Sequence, residues 1–339
     1  FSIHYLLHIL DLHILASSSH TAQECVTYRM GDGDMAVGII FLIQTLAGVS
    51  GNSYLVYNYL LLYFKEHQLK AKDWILMHLT LANFLTLFCK GVPQTMVVFG
   101  VKCFPNDSGY KLLFYFHRVG RGVSFGSICL SSVFQAITIR PRHSSWAGIK
   151  IKAPQFIIPY IYLTWILSLL VNIDILEHMT GSLCNTNFTH PKDLIHYSSF
   201  PWEEPGEMLH AIYMTVPDAV CMALMLWASS SMVLILHRHK QRMQHMPRTR
   251  SSSRFSPEMR ATRTILLLVS TFVFFYTLSS LFTIYLAFLL DPGRLTVNVT
   301  GVFSMCFSCL SPFLLIRHGF SSSMLCCTWI ENRKSSLTL

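Results

Sequence analysis

Residues 264–290 read TILLLVSTFVFFYTLSSLFTIYLAFLL, twenty-seven residues without one acid, lysine, arginine or histidine. At about 1.5 Å of rise per residue, roughly 20 apolar residues cross the hydrocarbon layer of a bilayer, so this run crosses it with room for tilt. Working outward from it, six further runs at 35–63, 74–100, 112–139, 154–173, 208–236 and 295–316 repeat the pattern between short polar loops. Backbone polar groups cannot be left bare in lipid, so runs of this length are helices. A β-barrel would show alternating strands of about ten residues, and these runs do not alternate. Pro93, Pro159, Pro217 and Pro312 fall inside runs, where packed neighbours re-satisfy the freed backbone groups. The expected fold is an all-α membrane protein, a bundle of seven transmembrane helices.

Composition agrees. Of 339 residues, 52% are hydrophobic and 13% are charged, about half the charged share of a soluble domain. A net charge of +9 raises nucleic acid as a partner, because clustered Lys and Arg are the electrostatic footprint of a phosphate binder. Their placement argues against it. Eighteen of the 26 Lys and Arg residues flank the runs on one side, five lie on the other, and Lys90, Arg118 and Arg121 sit within runs. The positive-inside rule then puts the N-terminus outside and the C-terminus in the cytoplasm. An odd number of crossings requires the same split.

The segments that follow are an extracellular stretch 1–34, a membrane domain 35–317 and a cytoplasmic tail 318–339. Residues 1–15 are apolar, but His4, His8, Asp11 and His13 interrupt them, and neither a basic leader nor a small-residue cleavage site is present. Met30 is the expected natural start, with 1–29 as upstream sequence.

Five of the ten cysteines (Cys89, Cys129, Cys221, Cys306, Cys309) fall within runs and read as small apolar packing residues. Cys103 and Cys184 fall in the first and second outer loops, an oxidising setting, as a bridge stapling the second loop to the third helix or as two thiols. Asn106 and Asn187 begin glycosylation sequons in the same loops, and Asn298 begins one too close to the seventh helix. Cys326 and Cys327 follow the last helix beside Phe320, Leu325, Trp329 and Ile330, a setting for palmitoylation.

Charges within a membrane are costly, at least about 2.5–3.5 kcal/mol at mid-helix, so Lys90, Arg118, Arg121 and Asp218 should face the bundle or snorkel outward. Arg118 and Arg121, three apart, share a helical face, and Asp218 on the fifth helix is the expected counter-charge, with Arg118 as its expected buried partner. The group reads as the polar floor of a cavity or as a structural ion pair. Phe114 and Tyr115 on the third helix, Tyr213 on the fifth, and Tyr276, Phe282 and Tyr285 on the sixth are the expected walls.

Several stretches resemble the vomeronasal type-1 receptors, pheromone-detecting seven-helix receptors coupled to G proteins. They are KGVPQTM at 90–96, HRVGRGVS at 117–124, LSSVFQAITI at 130–139, KAP at 152–154, WASSSMV at 227–233, HRHK at 237–240 and LSPF at 310–313. The resemblance is colinear from about residue 30 to 319. The Asp-Arg-Tyr and Asn-Pro-x-x-Tyr signatures of rhodopsin-like receptors are missing from the sequence, as is characteristic of this family. The chain departs from the family where a Gly-Cys-Lys before the third helix is replaced by Gly109-Tyr110-Lys111, and a Tyr-Cys-Ser in the second outer loop by Tyr197-Ser198-Ser199. Both halves of the family's usual bridge are lost together. Either Cys103–Cys184 replaces it, or the loop is held without a disulfide.

The resemblance implies a chemosensory receptor in the plasma membrane of vomeronasal sensory neurons, acting through an inhibitory-class heterotrimeric G protein. A small-molecule, pheromone-like ligand would bind in the outer half of the bundle, with Tyr115, Arg118, Asp218, Tyr276 and Tyr285 as contacts. The third inner loop, 237–263, holds eight Lys or Arg against one acid, Glu258, and reads as a docking surface. Arg140, Arg238, Lys240, Arg260 and Arg263 are the expected G-protein-facing residues. The competing reading is a small-molecule transporter or channel. It calls for repeated halves or broken helices around a midplane site, and the sequence has neither. A membrane enzyme is not expected, nor a cofactor or metal, because His78, His117 and the scattered cysteines lack ligand spacing.

Overall fold

The structure, a computed structural model, describes residues 32–66, 69–99, 107–140, 147–173, 205–244, 257–288 and 294–318. These hold seven helices, α1 (Asp32–Glu66), α2 (Ala71–Val98), α3 (Asp107–Thr138), α4 (Ala147–Val171), α5 (Pro205–Gln244), α6 (Pro257–Phe288) and α7 (Arg294–His318). No strand occurs among the described residues. Each helix covers most of one apolar run, and several continue past it. α6 begins seven residues before its run, and α5 continues through the basic HRHK stretch. Pro205 and Pro257 stand first in their helices, where the missing N–H costs nothing and the fixed φ suits the turn. Outside the hydrocarbon layer a helix still satisfies its own backbone, so apolarity marks the lipid and not the helix ends.

The helices form a bundle with α3 at its centre, packed against α2, α4, α5 and α6. α1 and α7 close the opposite side, against each other and against α2. Six of the seven helices are long and apolar enough to cross a membrane by composition; α3 is not among them. The reason lies in its neighbours. A helix surrounded by protein needs no lipid-compatible face, so α3 carries His117, Arg118, Ser124, Ser127, Ser131 and Gln135, all buried. α4 is the reverse case. Its Phe156, Leu163, Ile166 and Leu170 are each about half or more exposed, facing outward as lipid-facing side chains do.

In lipid, helices associate by close packing and hydrogen bonding more than by hiding apolar surface. α3 shows both. A Cβ at Gly120 would stand 2.9 Å from the Ala82 carbonyl oxygen of α2, and one at Gly126 would stand 2.5 Å from the Thr164 side chain of α4. Glycine at these two positions lets α3 lie directly on its neighbours.

Candidate functional site

The polar interior is organised by Asn83 of α2, which is fully buried. Its Oδ1 accepts from Ser124 Oγ of α3 at 2.7 Å and from Ser308 Oγ of α7 at 3.2 Å. Its Nδ2 donates to Ser311 Oγ at 2.8 Å. One carboxamide thus joins three helices. Asn52 of α1 adds the fourth, donating from Nδ2 to the Gly48 and Ser308 carbonyls at 2.7 and 3.0 Å.

Above this hub lies a cavity between α2, α3, α6 and α7. Thr86, His117, Arg121, Ser124, Ser279, Ser304 and Ser308 supply its polar lining, while Phe272, Phe275, Tyr276, Phe303 and Phe307 supply aromatic walls. At 100° per residue, positions 117, 121 and 124 fall within about 60° on α3, which is why one stripe faces the space. The aromatic floor is continuous: Phe272 meets Phe125 and Phe307 with ring centroids 5.0 Å apart in both pairs, and Phe125 meets Tyr276 at 5.6 Å. The Arg121 guanidinium lies over the Tyr276 ring, 5.9 Å from its centroid, a cation–π arrangement. His117 Nδ1 sits 3.3 Å from the Thr86 carbonyl. A carbonyl only accepts, so Nδ1 carries the hydrogen. The space is about 50 Å³, room for a few waters. A few hydroxyls and a cation set in aromatic walls are suited to orienting a small, mostly apolar molecule by one polar group.

The expected contacts divide around this cavity. Tyr276 lines it. Asp218 of α5 is half-buried and, with Arg121, lies within electrostatic reach of Tyr276. Tyr115 and Arg118 point elsewhere, toward α4. Tyr115 OH donates to the Leu169 carbonyl at 3.0 Å, and Arg118 Nε donates to Asn172 Oδ1 at 3.0 Å. Positions 115, 118, 122 and 126 form a second stripe within about 80°, the side on which Gly122 and Gly126 meet Ser168 and Thr164. Tyr285 is 55% exposed. Phe114 is buried beside His117, and Phe282 stacks on Phe303 at 5.1 Å; the Tyr213 side chain lies outside the described residues. The sequence reading did not place His117 or the α6 and α7 serines in the site. Their signal is present only as a helical stripe: Gly301, Ser304, Ser308 and Ser311 recur at three- and four-residue spacing.

At the opposite end of the bundle, Gln135 Nε2 of α3 donates to Thr262 Oγ1 of α6 at 2.9 Å, both buried. Nearby, the Arg140 guanidinium lies 5.6 Å from the Trp227 ring centroid of α5. Arg238 and Arg263 are exposed. The side chains of Lys240 and Arg260 lie outside the described residues, as do Cys103, Cys184, Asn106, Asn187, Cys326 and Cys327. Among the described residues, no three His, Cys, Asp or Glu are grouped to hold a metal ion.

Comparison with known proteins places this geometry. The fold resembles that of squid rhodopsin in its crystal structure, with a TM-score of 0.58 at 15% identity, over 85% of this chain and 83% of that one. Human vomeronasal type-1 receptor 4 is 49% identical over 295 residues, 87% of this chain and 98% of its own. Olfactory receptor class A-like protein 1 of Danio rerio is 30% identical over 318 residues, 92% of this chain and 96% of its own. These relatives are receptors, not enzymes. The model of the vomeronasal organ pheromone receptor family matches residues 35–323, and the chain belongs to that family of multi-pass membrane receptors.

Proposed function

We propose that the protein is a chemosensory receptor in which a small, pheromone-like molecule enters from the outer face, binds between α3, α6 and α7, and activates an inhibitory-class heterotrimeric G protein. The observation that carries this reading is that α6 meets α3 at two places. Arg121 lies over Tyr276 in the cavity, and Gln135 bonds Thr262 fourteen residues away along α6, about 21 Å at helical rise. A molecule that favours a different setting of Tyr276 shifts the balance between helix arrangements, and it does so only to the extent that it binds one arrangement better. The Gln135–Thr262 bond then breaks or holds according to that arrangement. Arg140, Arg238, Lys240, Arg260 and Arg263 supply a basic docking face for the G protein, in the plasma membrane of vomeronasal sensory neurons. The cavity's lining residues lie 9–17 residues inside the helix ends expected to face outward, about 14–26 Å at 1.5 Å per residue.

The test is ligand-dependent nucleotide exchange on a purified inhibitory-class G protein by the receptor in lipid nanodiscs, using volatile and steroid-like compounds as the screening set. Exchange that appears with a compound and disappears in Tyr276→Ala supports the reading. Compound-dependent flux across sealed vesicles without exchange would establish the transporter instead. Orientation is checked by tags at residue 20 and near Ser252, which label oppositely on intact cells; surface labelling of the Ser252 tag sinks the topology.

A further inference from the structure

A second polar site lies outside the cavity, where the outer parts of α1, α2 and α7 meet. Gln94 of α2 is 2% exposed, and among the described residues neither its Nε2 nor its Oε1 has a hydrogen-bond partner. Two neighbours on α1 share this condition: Thr45 Oγ1 and Gln44 Oε1 are likewise buried without partners. Gln44 is anchored on its other side, donating from Nε2 to the Val302 carbonyl at 3.1 Å. The junction is tight. A Cβ on Gly301 would meet Phe41 at 3.1 Å and Gln94 Nε2 at 3.3 Å, and Thr45 rests directly on Gly91, three residues before Gln94.

Burying amide and hydroxyl groups without partners costs free energy at each one, and native interiors leave few such groups unsatisfied. Three of them gathered at one junction mark a place where a hydrogen-bonding guest belongs. The inventory selects its chemistry. Gln94 offers an amide NH2 that donates and an oxygen that accepts, Thr45 a hydroxyl that does both, and Gln44 an acceptor. An anion would satisfy Gln94 Nε2 but repel its Oε1 and that of Gln44. A cation would do the reverse. A neutral hydroxyl, which donates and accepts at once, matches the set. We propose that the α1–α2–α7 junction is a hydroxyl-binding site held by Gln94, Thr45 and Gln44.

The site connects to the cavity. Asn83, Thr86, Lys90 and Gln94 fall within about 80° on α2, and all four are buried. This polar ridge runs from the hub past the cavity lining at Thr86 to Gln94, about 12 Å farther out. The guest's hydroxyl is that of water or of an alcohol, and thermal unfolding of the full chain in nanodiscs separates the two. Gln94→Met and Thr45→Val keep volume and remove hydrogen bonding. If water occupies the site, each lowers the midpoint in compound-free protein by about 2–4 °C, the shift for losing one hydrogen bond. If an alcohol is the guest, both variants raise the midpoint without additive, and 1-hexanol, measured against hexane, stabilises wild type more than either variant. A rise in both variants with 1-hexanol acting equally on all three proteins overturns the proposal.

Discussion

α3 and α4 lie side by side, and their compositions are opposed. α4 is apolar along almost its whole length and buries little of it; α3 is polar enough to miss the composition of a membrane span and is buried over much of its length. A hydropathy profile ranks α4 as the better membrane helix, and it is right about lipid. It is silent about the receptor. The helix least suited to lipid is the one that bonds the α2 hub through Ser124, lines the cavity with His117 and Arg121, and meets α6. Poor hydropathy within an otherwise clear series of spans is therefore a pointer to the functional centre, because only surrounding protein makes such a helix tolerable.

The contrast is sharpest against charge. Leu163→Arg places a guanidinium on the lipid face of α4, at a cost of about 2.5–3.5 kcal/mol near mid-helix, and surface expression should fall severely. Leu163→Val at the same site should change it little. If the arginine variant reaches the surface at wild-type level, α4 does not face lipid there.

Packing should show the inverse ranking. Gly120→Val pushes a side chain against Thr86 Oγ1 and against the α2 backbone at Ala82 and Thr86, and overpacking of this kind costs about 1–3 kcal/mol. A lower unfolding midpoint in nanodiscs is the expected outcome. A stable valine variant would mean that α2 and α3 stand farther apart than described.

The smallest effect concerns which arginine of α3 answers Asp218. The sequence suggests Arg118, yet Arg118 Nε is bonded to Asn172, whereas Arg121 and Asp218 both surround Tyr276. Asp218 is half-buried, so the expected coupling is modest, about tenfold in agonist potency or roughly 1.4 kcal/mol. In double-mutant cycles, Asp218→Ala should be non-additive with Arg121→Ala and nearly additive with Arg118→Ala. Coupling to Arg118 in place of Arg121 would reverse the assignment.

The number and order of the helices were legible because a bilayer imposes a length and a composition on every crossing. Their ends were less so; α5 and α6 continue into basic sequence that lipid does not police. Tyr276 was legible as an aromatic on a span. The separation of Arg118 from Arg121 was not, although their spacing contains it: three residues leave about 60° between them. That angle is enough to send one side chain to α4 and the other to α6. A reading that treats residues three apart as sharing a face cannot resolve it. The serines of α6 and α7 carry no individual signal, because a serine in a helix is equally at home bonded to its own preceding turn, as Ser280 is to the Tyr276 carbonyl.

A cavity of about 50 Å³ makes the receptor wait on its own breathing. If the proposed ligand is larger than a few waters, it binds when Tyr276 and the serine-bearing walls move apart, and its apparent affinity is its intrinsic affinity reduced by the share of time the walls stand open. Under the proposed function, sensitivity to a ligand would be set as much by how often α6 leans away as by how well the ligand fits. Two receptors with identical lining residues would report different detection thresholds if their α3–α6 contacts differed at the far end.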